Sequence, residues 1–279
     1  MSWSWAALMP HPPIIVPEVG RGREREAAAT LEGVEQLTKR LADKRPDCLF
    51  FLSPHQPYAV GALFVNGAAC LKGTLAHFGV SPSSAPAVSF EITSCGAETP
   101  AGKTLVDHLT QKGFAVRVGE APNLTQDQGT LVPLYFLRNA WKNASSGEIP
   151  PVFLVSPIGL DPLSAFKLGQ ALASFEDGSA WGLLASGDLS HRLTRDAPAG
   201  YSSVGGKFDA AVVEALSSTD PRPLLEFSPD EAEAAGECGL RSVMTLLGLC
   251  RALGKTIDVL SYEGPFGVGY CNAISEFHR

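Results

Sequence analysis

Three times along this chain a short apolar run stops at a stiff or sharply turning polar segment that carries a histidine. Trp3–Met9 ends in Pro10-His11-Pro12-Pro13, Cys48–Leu52 ends in Ser53-Pro54-His55, and Trp181–Ala185 ends in Ser186-Gly187-Asp188-Leu189-Ser190-His191. Short apolar runs bounded by such breakers predict buried strands. Proline has no N–H to give a central ladder, so His11 and His55 are expected on loops at strand ends. Loops leaving the carboxyl ends of strands in an α/β sheet are where ligand-binding and catalytic groups collect. A Glu237-Cys238 pair downstream is a fourth place of interest, and the fold decides whether the four meet.

Between and after these runs the periodicity alternates between helix and strand. Arg23–Lys44 repeats Ala27, Leu31, Val34, Leu37 and Leu41 on one helical face,. Val60–Val65 and Ala68–Leu71 predict a hairpin around Asn66-Gly67, a strong turn dipeptide,. Val88–Ile92 is expected as a strand, 99–111 as a helix, and 114–118 as a strand. A polar loop over 125–130 leads into a helix from Leu131 to Trp141, with Pro133 near its first turn,. A strand at 151–155 and a helix at 162–175 precede the Trp181 strand. Helices over 206–217, 221–227 and 240–253 follow, then a strand over 256–262 and a glycine-rich loop from Glu263 to Tyr270. Such alternation argues for one α/β domain over residues 1–279, a mixed central β-sheet flanked by helices,.

Charge and composition exclude several classes of function. With 22 basic against 29 acidic residues the formal net charge is −7, and the one basic cluster, Arg21–Arg25, is interleaved with glutamate, so no nucleic-acid groove is expected,. No apolar run approaches the ~18–20 residues of a membrane span. Met1–Met9 lacks a basic leader region, so no signal peptide is expected,. The six cysteines are dispersed without a CxxC pair, which predicts reduced core thiols and a cytoplasmic protein,.

One histidine on a loop is most often a surface or capping residue, but two on proline-stiffened strand ends suit a metal, whose ligands need fixed directions. Two imidazoles and one carboxylate make the facial triad of non-haem Fe(II), with positions left open. Asp127, Asp188, Glu237 and Glu263 all lie at element boundaries and could supply the carboxylate. Glu237 is attractive because it precedes an apolar helix, where it could equally serve as a cap. Cys238 beside it could ligate as thiolate, which would favour zinc or copper. His191 suits general acid–base work. Ser190 lacks the Gly-x-Ser-x-Gly elbow of a hydrolase nucleophile. His77, His108 and His278 look peripheral, and the 264–270 loop lacks the lysine of a phosphate loop,.

Pro10-His-Pro-Pro-Ile, Ser53-Pro-His55, Asp127-Gln-Gly129 running into Val132-Pro-Leu-Tyr135, and Ser186-Gly-Asp-Leu-Ser-His191 together resemble the class III extradiol ring-cleavage dioxygenases. The similarity is to the LigB-like superfamily that supplies their catalytic chains. Gly236-Glu-Cys-Gly-Leu-Arg-Ser242 and Leu260–Tyr270 look closer to its MEMO-like branch. The resemblance covers about Ala6 to Ala273. It implies a LigB-like fold and a non-haem Fe(II) held by His11, His55 and Glu237, with His191 as the acid–base group. Aligned one residue later, Cys238 takes the third corner instead, as in MEMO-like members. The expected activity is extradiol cleavage of a catechol-like aromatic with O2, with Asp188 orienting His191 and with Gln128 and Ser53 lining the substrate pocket. The alternative is a MEMO-like metal-binding or redox-accessory protein without dioxygenase activity. A zinc hydrolase is a third reading. A homo-oligomer is expected, and some relatives work with a small second subunit. Many catalytic members carry histidine where this chain has Gln128, which cannot shuttle a proton but can donate a hydrogen bond.

Overall fold

The computed structural model describes residues 2–142 and 148–277, so His278 lies outside the described residues. The strands are β1 (Trp3–Met9), β2 (Cys48–Leu52), β3 (Leu63–Asn66), β4 (Cys70–Thr74), β5 (Ser89–Thr93), β6 (Val116–Gly119), β7 (Val152–Ser156), β8 (Trp181–Ser186), β9 (Asp258–Glu263) and β10 (Tyr270–Glu276). The α-helices are α1 (Pro17–Gly20), α2 (Ala28–Leu41), α3 (Pro100–Gln111), α4 (Gln128–Lys142), α5 (Pro162–Ala173), α6 (Gly205–Ser218), α7 (Arg222–Leu225), α8 (Pro229–Ala235) and α9 (Leu240–Ala252).

Eight strands form one mixed sheet in the order β6-β3-β7-β2-β8-β1-β10-β9. Its middle is parallel: β8 pairs with β2 on one side and β1 on the other, and β7 extends the run beyond β2. Strand β10 joins β1 antiparallel, and β3 joins β7 antiparallel. Alternate side chains of the central strands enter two separate cores. Trp3, Phe50, Phe153 and Trp181 pack under α5, α6 and α9 on one face. Trp5, Phe51, Leu154 and Leu184 pack with α2 and α4 on the other. Strands covered on both faces need no polar alternation, and this is why their sequences read as continuous apolar runs. Among the described residues no helix is long and apolar enough to cross a membrane.

The expected hairpin at Asn66-Gly67 does not form. Strand β3 lies in the main sheet between β6 and β7, while β4 pairs with β5 in a separate two-stranded sheet. The buried Asn66 amide is spent on tertiary contacts: its Nδ2 donates to Gln56 Oε1 at 2.8 Å and to the Ala121 carbonyl at 2.7 Å. The helix expected over 23–44 opens as a 3-10 turn (Arg23–Ala27) before α2. Helix α4 begins at Gln128, three residues earlier than the sequence suggests. The glycine-rich loop ends where β10 starts, and that strand and α8 were not anticipated.

Helices α5 and α9 meet backbone to backbone. A Cβ at Gly169 would lie 2.0 Å from the Thr245 carbonyl oxygen, and one at Gly248 would lie 2.0 Å from that of Phe166. Alanine is worth about 1 kcal/mol more than glycine inside a helix. Overpacking against rigid backbone costs about 1–3 kcal/mol and decides the sign. Gly169→Ala should therefore lower stability by about 1 kcal/mol in a urea titration. At Gly206 in α6 an added Cβ meets nothing within 4 Å, and Gly206→Ala should be neutral or slightly stabilising in the same assay,.

Candidate functional site

Strand β8 lies between β1 and β2, and the register sets Met9 beside Ser186 and Leu52 beside Ala185. The three loops therefore leave the sheet side by side, at neighbouring carboxyl ends. His11 is 2% exposed. Its Nδ1 lies 2.9 Å from Ser186 Oγ, and its backbone N–H donates to Asp188 Oδ1 at 2.8 Å. Its Nε2 faces His55 Nε2 at 3.1 Å, with the two rings nearly perpendicular at 77°. Burial, then the neighbouring His55, holds His11 well below the usual histidine range. It is therefore neutral at physiological pH, the form in which an imidazole binds a metal.

A buried network on the other side of the site fixes the His55 loop. Asp127, just before α4, accepts from Ser53 Oγ (2.7 Å), Gln56 Nε2 (2.6 Å), and the N–H and Oγ1 of Thr130 (2.8 and 2.7 Å). Ser53 Oγ in turn accepts from the His55 backbone N–H at 3.3 Å. Ser53 is wholly buried, and its hydroxyl, donating to Asp127, holds the His55 loop in place. A Cβ at Gly129 would meet Ser53 Oγ at 2.7 Å and His55 Cδ2 at 2.8 Å, so only glycine lets the ring lie against the start of α4. Half-buried Gln128, the first residue of that helix, stands next in sequence.

At the third corner the sequence leaves both Glu237 and Cys238 open. Glu237 is buried, but its Oε2 accepts the Leu240 N–H at 2.6 Å and its Oε1 pairs with Arg241 Nη1 at 3.3 Å. The carboxylate is spent on the start of α9. Cys238 Sγ instead lies 3.7 Å from His11 Nε2, and it accepts the Asp188 N–H at 3.3 Å. Asp188 Oδ2 is 3.8 Å from the same His11 nitrogen. Burial, then Asp188, pushes the Cys238 thiol well up, so it stays protonated until a cation replaces the proton,.

The donor set fits a metal in part. Bonds of ~2.0–2.1 Å at angles between a right angle and a tetrahedral one set two ligand nitrogens about 2.8–3.4 Å apart, and the two Nε2 atoms stand at 3.1 Å. Among the described residues no group of three or more His, Cys, Asp or Glu side chains closes around a common point. Around one metal His11 and His55 would fill two positions, and a third ligand would require a side-chain adjustment by Cys238, Asp188 or Glu237.

His191 Nδ1 lies 2.8 Å from the Gly236 carbonyl oxygen, a pure acceptor, so Nδ1 carries the proton and Nε2 is the nitrogen left to accept one,. The Gly236 carbonyl orients this ring, and Asp188, expected in that role, serves His11. The Gly236 carbonyl also accepts the His191 backbone N–H at 3.3 Å, which sets this loop beside the segment that carries Glu237 and Cys238. Asp209 from α6 was missed at the sequence level. Its Oδ1 accepts the Ser190 N–H and its Oδ2 accepts the Tyr262 hydroxyl, each at 2.8 Å. The available signal was an acid among Gly205, Phe208, Val212 and Leu216 on the buried face of α6. Tyr270, also missed, is nearly buried at the start of β10, beside the Gly269 backbone that hydrogen-bonds Leu189 and Ser190.

Burial raises the Asp209 carboxyl to about 6, against ~3.9 unfolded. A raised folded value stabilises below the unfolded pKa, and that stability is lost as pH rises through the folded one. Asp209→Asn removes the charge; its Oδ1 can still accept the Ser190 N–H, while its Nδ2 donates and Tyr262 must turn its hydroxyl to accept,. The stability of wild type relative to this variant should fall by on the order of 2 kcal/mol between about pH 4 and pH 7 in denaturant titrations. A flat difference would contradict the assignment.

Comparison with known proteins agrees with this architecture. Residues 5–272 match the family model described as the catalytic LigB subunit of aromatic ring-opening dioxygenase. Protein CA_C1420 of Clostridium acetobutylicum is 32% identical over 97% of this chain, and the match spans 57% of that protein, so this chain covers a little more than half of it. The crystal structure of the uncharacterized protein JW3007 from Escherichia coli K12 has the same fold: the TM-score is 0.61 over 97% of this chain and 99% of that one, at 14% identity. Matched over nearly its whole length, with its histidines on adjacent strand ends, the chain belongs to the LigB family.

Proposed function

We propose that His11 and His55 hold one metal ion and that the site opens the ring of a small catechol-like aromatic with O2. The supporting observation is the 3.1 Å between their Nε2 atoms, together with membership of a ring-opening dioxygenase family. Fe(II) is the metal for this reading, since two imidazoles and a carboxylate suit it. Asp188 is the carboxylate already beside His11, whereas Glu237 would first have to leave Leu240 and Arg241. When bound, the metal would supply Lewis acidity and open positions for O2 and the diol oxygens. The remaining work falls to the chain. His191 takes a phenolic proton at Nε2 and returns it later, with its tautomer fixed by Gly236,. Gln128 donates a hydrogen bond at the mouth of the site.

A specific observation favours a second reading. Cys238 Sγ, at 3.7 Å from His11 Nε2, is as close as any carboxylate. As thiolate it would favour zinc or copper over iron. This is a MEMO-like metal-binding or redox-accessory protein, and Gln128 in place of an acid–base histidine agrees with it.

The two readings separate on metal-loaded protein given a catechol panel and O2, with ring-opened product followed by absorbance. Turnover with Fe(II) supports the dioxygenase. Metal bound without turnover across the panel supports the accessory protein. Wild type that binds no metal overturns both. His11→Ala and His55→Ala should each reduce bound metal to background by elemental analysis. His191→Ala should keep the metal and lower turnover at least ~100-fold, the scale of general acid–base catalysis.

A further inference from the structure

A cavity of about 590 Å³ opens between α5 and the turn that joins α3 to β6, apart from His11, His55 and His191. Its volume is within the range of small-molecule sites, about 300–1,000 Å³. Ser164, Lys167 and Gln170 line it from α5, and their three-residue spacing puts them along one face of that helix. Lys112 and Phe114 line it from the turn, and Leu160 from the loop after β7. No carboxylate is among its lining residues. Lys112 and Lys167, like Lys39, Lys207 and Lys255, make no ion pair among the described residues, whereas Lys44, Lys72 and Lys103 are each paired with a glutamate.

The position of Lys112 at the carboxyl end of α3 has a structural account, because a cation there is favoured by the helix dipole,. Lys167 in the body of α5 has none. Two lysines and no carboxylate give the cavity a positive lining, which favours an anion,. The apolar side is fixed in advance. The Leu160 carbonyl accepts from Arg241 Nε at 2.9 Å, the Leu160 N–H donates to the Pro157 carbonyl at 3.0 Å, and the Gly61 N–H donates to Gly159 at 2.8 Å. A pre-formed wall lowers the ordering cost of binding.

We propose that this cavity binds a small organic anion. Its apolar body lies against Phe114 and Leu160, and its phosphate or carboxylate group lies between Lys112 and Lys167. The site is separate from the histidine cluster, and its test needs neither metal nor turnover.

The experiment is calorimetric titration of the full chain with phenyl phosphate, benzoate, inorganic phosphate and phenol. Phenyl phosphate or benzoate should bind saturably at one site, and the tighter of the two identifies the headgroup. Loss of one charge-assisted hydrogen bond corresponds to about tenfold in affinity, the weakening expected for Lys112→Ala and for Lys167→Ala. Both side chains are solvent-facing, and unchanged thermal melting of each variant confirms that it folds. Absence of saturation by either organic anion up to ~10 mM, or full binding by the double variant, overturns the proposal. Inorganic phosphate or phenol binding as tightly as the best organic anion overturns it too, because one of the two halves of the site would then contribute nothing.

Discussion

The site depends on one pairing, that of β8 as a parallel strand between β1 and β2. Adjacent strands lie about 4.8 Å apart, so three chain segments from distant parts of the sequence leave the sheet as neighbours. The level register, Met9 beside Ser186 and Leu52 beside Ala185, then decides which loop residues meet. A loop alone could not hold two imidazole nitrogens face to face. Here the Ser186 hydroxyl fixes one ring, and Asp127 fixes the other loop through Ser53.

The acids around the site divide by what their oxygens already do. The Asp127 carboxylate accepts the Thr130 N–H in the first turn of α4, and the Glu237 carboxylate accepts the Leu240 N–H at the start of α9. Both helices begin at the site, so both need such a partner, and a carboxylate favours a helix N-terminus. Asp209 holds the Ser190 backbone from behind. Asp188 is bound to His11 itself, and Cys238 sits on the Asp188 backbone. The Cys238 thiol and the Asp188 carboxylate thus both lie within 4 Å of His11 Nε2, while the Glu237 oxygens are engaged at the start of α9.

Much of this was legible in the sequence. The central strands announced themselves because burial on both faces requires unbroken apolar runs, and the prolines around His11 and His55 marked the strand ends. Where residues serve distant partners the local signal misled. Asn66-Gly67 has hairpin chemistry, yet the Asn66 amide bonds Gln56 and Ala121. Glu237 was open both to ligation and to capping, and its oxygens meet the Leu240 N–H and Arg241 one turn later. Strand β10 was hidden behind a glycine-rich loop, although Tyr270, Cys271, Ala273 and Ile274 are all buried in it. Asp209 could be found only by asking why an acid sits on an apolar helix face.

The central claim is that His11 and His55 are neighbouring ligands of one metal ion. X-ray absorption at the metal edge tests it most directly, on wild-type protein and on His55→Ala loaded with one equivalent of metal. The account predicts two imidazole nitrogens at ~2.0–2.1 Å in the wild type and one in the variant. The same spectrum reports whether sulfur or oxygen fills the third position. A wild-type spectrum with no imidazole scattering, or with one imidazole that survives unchanged in the variant, would contradict it.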